Sequence, residues 1–351
     1  MNNRVTIPVT CSILIAVLVL PGLVSAQSEF TDQVVLQGAT VSSRVTIQCE
    51  ITDYTGESIV IRTATLKNER SFPVSQVVTV KTPKMASHER GLKHLDSGEY
   101  QQAEATLTQA LTDEARRWMR REILADLIRC SLRQNRYAAA GTQFMRLYAA
   151  DQTTRHIRLI PLVWDDVTLD QETRNTAAAW LKEKSAILRL IGASLLLSDP
   201  QHGESARTVL QALGQVPGQR IRLLAAWQAW RLKQKCSNVG DLELTRYETQ
   251  IEELERYLQP GPWYLIGQAH LNRQEYDLAA AAFLRLPLVH DSDHPLTAQA
   301  MFNAARALEQ IGFRSQATLL DQEVTDRYAW SPAAKLSQQA LRKPVAKTSI
   351  K

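Results

Sequence analysis

The stretch "WYLIGQAHLNRQEYDLAAAAF", Trp263 to Phe283, decides how most of this chain folds. Apolar residues recur at helical spacing on both sides of "NRQEY", so the stretch reads as two helices joined by a tight turn. Gly267 and Ala279 stand where the antiparallel helices come closest, and a larger side chain at either position would push them apart. Trp263, Ile266 and Phe283 supply the bulk between this pair and its neighbours. Tyr276, just past the turn, packs back onto the first helix.

The same arrangement recurs along the chain. "GLKHLDSGEYQQAEATLTQAL" aligns Gly91, Tyr100 and Ala103 with it, "LIRCSLRQNRYAAAGTQF" aligns Tyr137, Ala140 and Phe144, and "MFNAARALEQIGFRSQATLL" aligns Phe313. The turn aromatics Tyr100, Tyr137, Tyr276 and Phe313 are separated by 37, 139 and 37 residues. The middle gap is close to four steps of about 35 residues, a length typical of helix-pair repeats. Three further second helices are therefore expected to begin near residues 172, 207 and 241, in "DQETRNTAAAWL", "HGESARTVLQAL" and "GDLELTRYETQIEEL".

Trp263, Ile266, Gly267, His270, Ala279 and Phe283 follow the pattern W-x2-L-G-x2-Y…A-x3-F, so the chain resembles the tetratricopeptide repeat family. His270 departs from the usual aromatic, and no proline closes the repeat where one is expected. The resemblance implies a mainly α fold: an α-solenoid of about seven helical hairpins over residues 83–341, closed by a capping helix at "SPAAKLSQQAL" (Ser331–Leu341). "EVTDRYAWSPAAKLSQQAL" also resembles the ends of bacterial envelope repeat proteins of the Tol-Pal accessory group. A peptide-binding groove lined by the first helix of each pair is a further implication. In chaperone-binding members such helices carry a Lys and Asn clamp, whereas His88, Leu92, Ala125, Arg129, Tyr264, Gln268, Met301 and Ala305 stand at those positions here.

Ahead of the helices the texture differs. "MNNRVTIPVTCSILIAVLVLPGLVSAQS" has a single cation, an apolar run and small residues before Gln27, which reads as a secretory signal peptide cut after Ala26. The expected compartment is extracytoplasmic, with no membrane span after cleavage; retention of residues 7–24 as an anchor is the alternative. Residues 27–82 hold "RVTIQCEI", "SIVIRTAT" and "QVVTVKT", alternating and rich in Val, Ile and Thr. About five short strands are expected there, forming a small barrel-like domain that resembles SH3-like or Sm-like barrels.

The chain has 351 residues and a net charge of +5. Without Arg4 of the leader and the four cations of the basic tail, residues 342–351, 36 basic residues face 36 acidic ones. A nucleic-acid partner, which needs a basic face on the folded body, is not expected. Three widely spaced cysteines follow the leader, Cys49, Cys130 and Cys236, with no C-x-x-C, so neither a zinc ribbon nor a complete disulfide framework is expected.

Other stretches invite chemistry. "VHDSDHPLTAQ" (Val289–Gln299) groups His290, Asp291, Asp293 and His294, but the repeat places it at a joint, with Asp293 as a helix cap and no paired histidines on one helical face. No metal and no cofactor are expected. "RRWMRR" (Arg116–Arg121) is the densest basic cluster, and Arg116 and Arg120 share one helical face. Trp227 and Trp230 read as core, and His88, His94, His156 and His202 stand apart from any Ser or Cys motif. The expected function is a non-enzymatic exported scaffold that binds a protein or peptide. Arg116, Arg120, Arg129, Arg133, Tyr264 and Gln268 are the candidate binding residues. The alternatives are an envelope enzyme or enzyme subunit acting on wall polymer, which a His–carboxylate pair in a deep cleft would distinguish, and an anchored assembly factor.

Overall fold

A computed structural model describes residues 30–38, 43–63, 68–236, 239–290 and 295–342. The signal-peptide reading, the basic tail beyond Arg342, and Asp291, Asp293 and His294 lie outside the described residues.

Five strands form one antiparallel sheet: β1 (Asp32–Gln37), β2 (Arg44–Tyr54), β3 (Ser58–Arg62), β4 (Arg70–Pro73) and β5 (Val77–Lys81). Their order is β4-β3-β2-β1-β5, and a single 3-10 turn, Val74–Gln76, joins β4 to β5. No pairing joins β4 to β5 among the described residues, so the barrel-like closure expected from the strand count is not made by a ladder. The long β2 pairs with β1 along Arg44–Cys49 and with β3 along Glu50–Tyr54, and a register shift between Ile51 and Asp53 separates the two partners. The two-residue period buries Val34, Leu36, Cys49, Ile51, Ile59 and Ile61. Cys49 and Cys130 are buried free thiols, each pushed up to about 11 first of all by burial.

Fourteen α-helices follow: α1 (Ala86–Asp96), α2 (Tyr100–Asp113), α3 (Arg117–Arg133), α4 (Tyr137–Ala150), α5 (Gln171–Trp180), α6 (Ala186–Leu196) and α7 (Gly203–Leu213). The second half comprises α8 (Gln219–Cys236), α9 (Asp241–Glu252), α10 (Pro260–Asn272), α11 (Tyr276–Arg285), α12 (Pro295–Gln310), α13 (Arg314–Arg327) and α14 (Pro332–Arg342). Neighbours in sequence pack together: α1 on α2, α3 on α4, α6 on α7, α10 on α11 and α12 on α13, with α14 closing against α12 and α13. The helices expected near residues 172, 207 and 241 begin at Gln171, Gly203 and Asp241.

Four turns have one construction. Gly98, Asn135, Gln274 and Gly312 all have positive φ. The amide that follows each one donates five residues back: Glu99 to His94 (2.8 Å), Arg136 to Ser131 (2.9 Å), Glu275 to His270 (3.0 Å) and Phe313 to Leu308 (2.9 Å). That bond defines the Schellman helix end, in which a left-handed residue reverses the chain at once. The shared register corrects one position. Tyr100, Tyr137 and Tyr276 each stand two residues past the left-handed residue, and there the last turn has Arg314. Phe313 is the N-cap of α13 and is 50% exposed.

Close approach is equally specific. A Cβ on Gly267 would lie 2.7 Å from the Phe283 ring, and one on Gly91 would lie 2.7 Å from Leu107. Gly267→Ala is therefore expected to destabilise the fold by about 1–3 kcal/mol through overpacking, while Gly218→Ala, with nothing within 4 Å, leaves it unchanged. Parallel urea titrations check this, and equal midpoints would remove the reason for glycine at position 267. Bulk replaces smallness between α8 and α9. There Trp227, Trp230 and Tyr247 stack with ring centroids 4.4–5.5 Å apart, as core.

One expected helix does not form. The first helix of the third pair would precede α5, but residues 151–170 contain only a 3-10 turn, Ile157–Leu159. "HIRLIPLVW" explains why: Pro161 removes a helical donor, and apolar residues occur on every side with no helical period. Ile157, Leu159, Ile160, Leu162, Val163 and Trp164 are all buried. The segment runs as an extended filler between helices distant in sequence. Val163 N–H donates to Ser194 Oγ of α6 (2.8 Å). The Arg231 guanidinium of α8 donates to the Val163 and Ser194 carbonyls, the latter at 2.8 Å. Tyr264 Oη of α10 donates to Asp165 (2.5 Å).

Candidate binding site: two clefts that meet at Arg129

The long helix α3 presents different residues to different neighbours. Its N-terminal turns carry the basic cluster, and they face the sheet. Trp118 is buried and donates Nε1–H to the Ile51 carbonyl (3.0 Å). Arg121 donates to Asp53 and to the Tyr54 carbonyl (3.0 Å). Arg116 binds Glu114, Thr82 Oγ1 (3.1 Å) and the Pro83 carbonyl (3.2 Å). That hydrogen bond to Arg116 holds the Glu114 carboxyl below its ordinary range. Arg120 donates to the Glu114 carbonyl (3.3 Å). The cluster thus forms the joint between sheet and helices, with long side chains spread over apolar surface.

Farther along α3, Glu122 and Asp126 stand one turn apart and each meets a histidine. His88 Nε2 lies 2.9 Å from Asp126 Oδ2, and His156 Nε2 lies 2.9 Å from Glu122 Oε1. Arg155 also pairs with Glu122, and its guanidinium sits 4.2 Å from the centre of the Tyr54 ring. Burial alone would raise the Glu122 carboxyl, but the His156 hydrogen bond and the charges of His156 and Arg155 lower it to about 2. Glu122 is therefore a fixed anion at neutral pH. His88 is 0% exposed, and its Nδ1 is buried without a hydrogen bond.

These groups line a polar cleft of about 450 Å³ whose opposite wall is β5, an outer strand of the sheet. A second, apolar cleft of about 100 Å³ lies between the filler segment and the starts of α10 and α12. Arg129, which also pairs with Asp126, lines both. Gly261 brings α10 against Trp164 here, since a Cβ would fall 2.0 Å from that ring.

The structure does not gather the six sequence-derived binding residues on one surface. Arg116 and Arg120 are at the sheet joint. Arg133 donates to the Leu95 carbonyl (2.9 Å) and lies 5.3 Å from the Trp330 ring, so α3 touches the loop before α14. Tyr264 and Gln268 belong to the interior. Gln268 and Asn303 donate to Tyr264 Oη at 2.9 and 3.1 Å, and burial together with Asp165 drives that phenol well above its ordinary range. Arg129 alone lines the clefts. The His88–Asp126 and Glu122–His156 pairs were missed because the basic run draws attention to other faces of α3. The available signal was the i,i+4 spacing of Glu122 and Asp126.

As chemistry, the His88–Asp126 pair could orient a base, but among the described residues no hydroxyl or thiol hydrogen-bonds to His88. Among the described residues no group of three or more His, Cys, Asp or Glu side chains could hold a metal ion. Nor is any helix among them long and apolar enough to cross a membrane. A scan against protein-family models finds no match for the chain, and a search of the curated proteins also finds none.

Proposed function

We propose that this chain is an exported, non-enzymatic adaptor: a tetratricopeptide-like array, headed by an SH3-like module, that holds a protein or peptide segment in the cleft between β5 and α3. The array reading is supported by the four identical turns and the matching Gly91–Leu107 and Gly267–Phe283 approaches. The module reading is supported by the strand order and by the lone 3-10 turn between β4 and β5. Export and an extracytoplasmic site of action rest on the leader of residues 1–26.

One observation carries the binding role: Arg129 stands where a polar cleft bordered by a sheet edge meets an apolar one. An extended segment laid along β5 would gain backbone hydrogen bonds from the strand and side-chain contacts from α3. A second reading, an envelope enzyme or enzyme subunit acting on wall polymer, draws on the His88–Asp126 pair in the same cleft.

The test is crosslinking of residues 27–351 to an envelope extract, followed by measured affinity for the partner identified. Arg129→Glu is expected to weaken that affinity at least tenfold. Arg207→Glu, on the exposed face of α7, is expected to leave it unchanged. Equal affinities for wild type and Arg129→Glu would end the assignment of this cleft.

A further inference from the structure

The apolar cleft has features that a protein-docking groove does not require. Its walls are Leu159, Ile160, Trp164, Leu224, Leu258 and Leu296, supplied by the filler segment, α8, the turn before α10 and the first turn of α12. The guanidinium-bearing Arg129 and Arg158 line it too, together with His290. We propose that this cleft is a binding site for a small apolar carboxylate, an unbranched acid of about octanoate's size, whose chain lies against Trp164 and whose carboxylate meets Arg158, Arg129 and His290.

Size comes first. A cavity of about 100 Å³ has room for roughly seven to ten waters at about 10–15 Å³ each, which suits a ligand with a similar number of heavy atoms. A folded peptide element or a long acyl chain exceeds it. Mostly apolar walls with a few convergent polar groups are the usual make-up of a small-molecule site.

The polar end is selective for an anion. Both ring nitrogens of His290 are buried and neither makes a hydrogen bond. Unpaired buried polar atoms are costly, so a ligand oxygen that accepts from this imidazole removes a defect of the empty site. Burial, then the charge of Arg256 and that of Arg285, hold His290 below the ordinary histidine range. The Arg256 carbonyl opposes this without reaching hydrogen-bond geometry with either nitrogen. Around the cleft the cations Arg129, Arg158, Arg256 and Arg285 outnumber the anions Asp126 and Glu255, which pair with Arg129 and Arg220. A cation placed there is repelled, whereas a carboxylate accepts charge-assisted hydrogen bonds.

This site does not depend on the adaptor reading, because a partner strand along β5 and a small acid beside His290 occupy different clefts. The experiment is isothermal titration of residues 27–351 with octanoate, octylamine and acetate. Saturable binding of one octanoate per chain is expected, with octylamine at least tenfold weaker and acetate without measurable heat. Arg158→Gln should weaken octanoate at least tenfold, and Leu296→Trp, which fills the cleft, should abolish binding. Both variants should keep the wild-type unfolding transition. Should Leu296→Trp fail to fold, Arg158→Gln decides alone, since Arg158 is exposed. Non-saturable heats, octylamine as tight as octanoate, or an unchanged affinity in Arg158→Gln would overturn the proposal.

Discussion

Arg231→Met is expected to cost the fold roughly 2–5 kcal/mol, because it orphans two buried carbonyls at about 1–3 kcal/mol each. Arg231 is only 2% exposed, and its guanidinium holds Val163 of the filler segment and Ser194 of α6 together. Burial lowers its pKa to about 10 against the pull of Asp166 and Asp165, so it remains charged at neutral pH. Methionine keeps the length of the stem and removes the desolvation cost of the charge, which offsets part of the loss. The carbonyls have no replacement donor on that side chain. Amide exchange across residues 160–166 should quicken at least tenfold, because the segment has no helical ladder of its own. An unfolding midpoint unchanged within about 0.5 kcal/mol, the ordinary range for surface substitutions, together with unchanged exchange, would show that apolar packing alone holds the segment.

Trp118→Ala is the second large effect, at about 3–5 kcal/mol for truncating a buried aromatic side chain. The indole fills the joint, meets Tyr54 edge-on at 6.4 Å and satisfies the Ile51 carbonyl. Its loss should loosen the sheet from the helices, leaving Arg116 and Arg121 as the remaining ties on that face of α3. Limited proteolysis should then cut between β5 and α1, at Thr82–Met85, where the wild-type chain resists. Trp118→Phe retains ring packing without the donor and should fall between wild type and Ala. If the alanine variant is cut no faster than wild type, the polar ties suffice by themselves.

Much of the helical body is legible in single windows of sequence. "LDSGEY" and "LNRQEY" announce turns, and the structure builds both with the same left-handed residue and the same amide-to-carbonyl bond. The arithmetic of the turn aromatics located α5, α7 and α9 to within four residues, even though their sequences have drifted. It also misplaced Phe313 by one residue, since an aromatic near a turn is a weaker marker than the residue that makes the turn. For the binding site the return was small: of six residues chosen, one lines the clefts.

What the sequence determined by itself was local: the strands by alternation, the helices by period, the hairpin turns by residues that tolerate positive φ, and close approach by glycine. Each depends on neighbours within one hairpin, so a window of about 35 residues contains the needed information. Only the tertiary structure decided the rest. "HIRLIPLVW" declares that it must be buried but not against what, and its partners Ser194, Arg231 and Tyr264 lie 31, 68 and 99 residues away. "RRWMRR" reads as an exposed basic face until β2 is laid across it. Hydrophobic burial is non-directional and names no partner, so where the filler runs, which arginines are spent on the joint, and where the two clefts open are properties of the assembled chain.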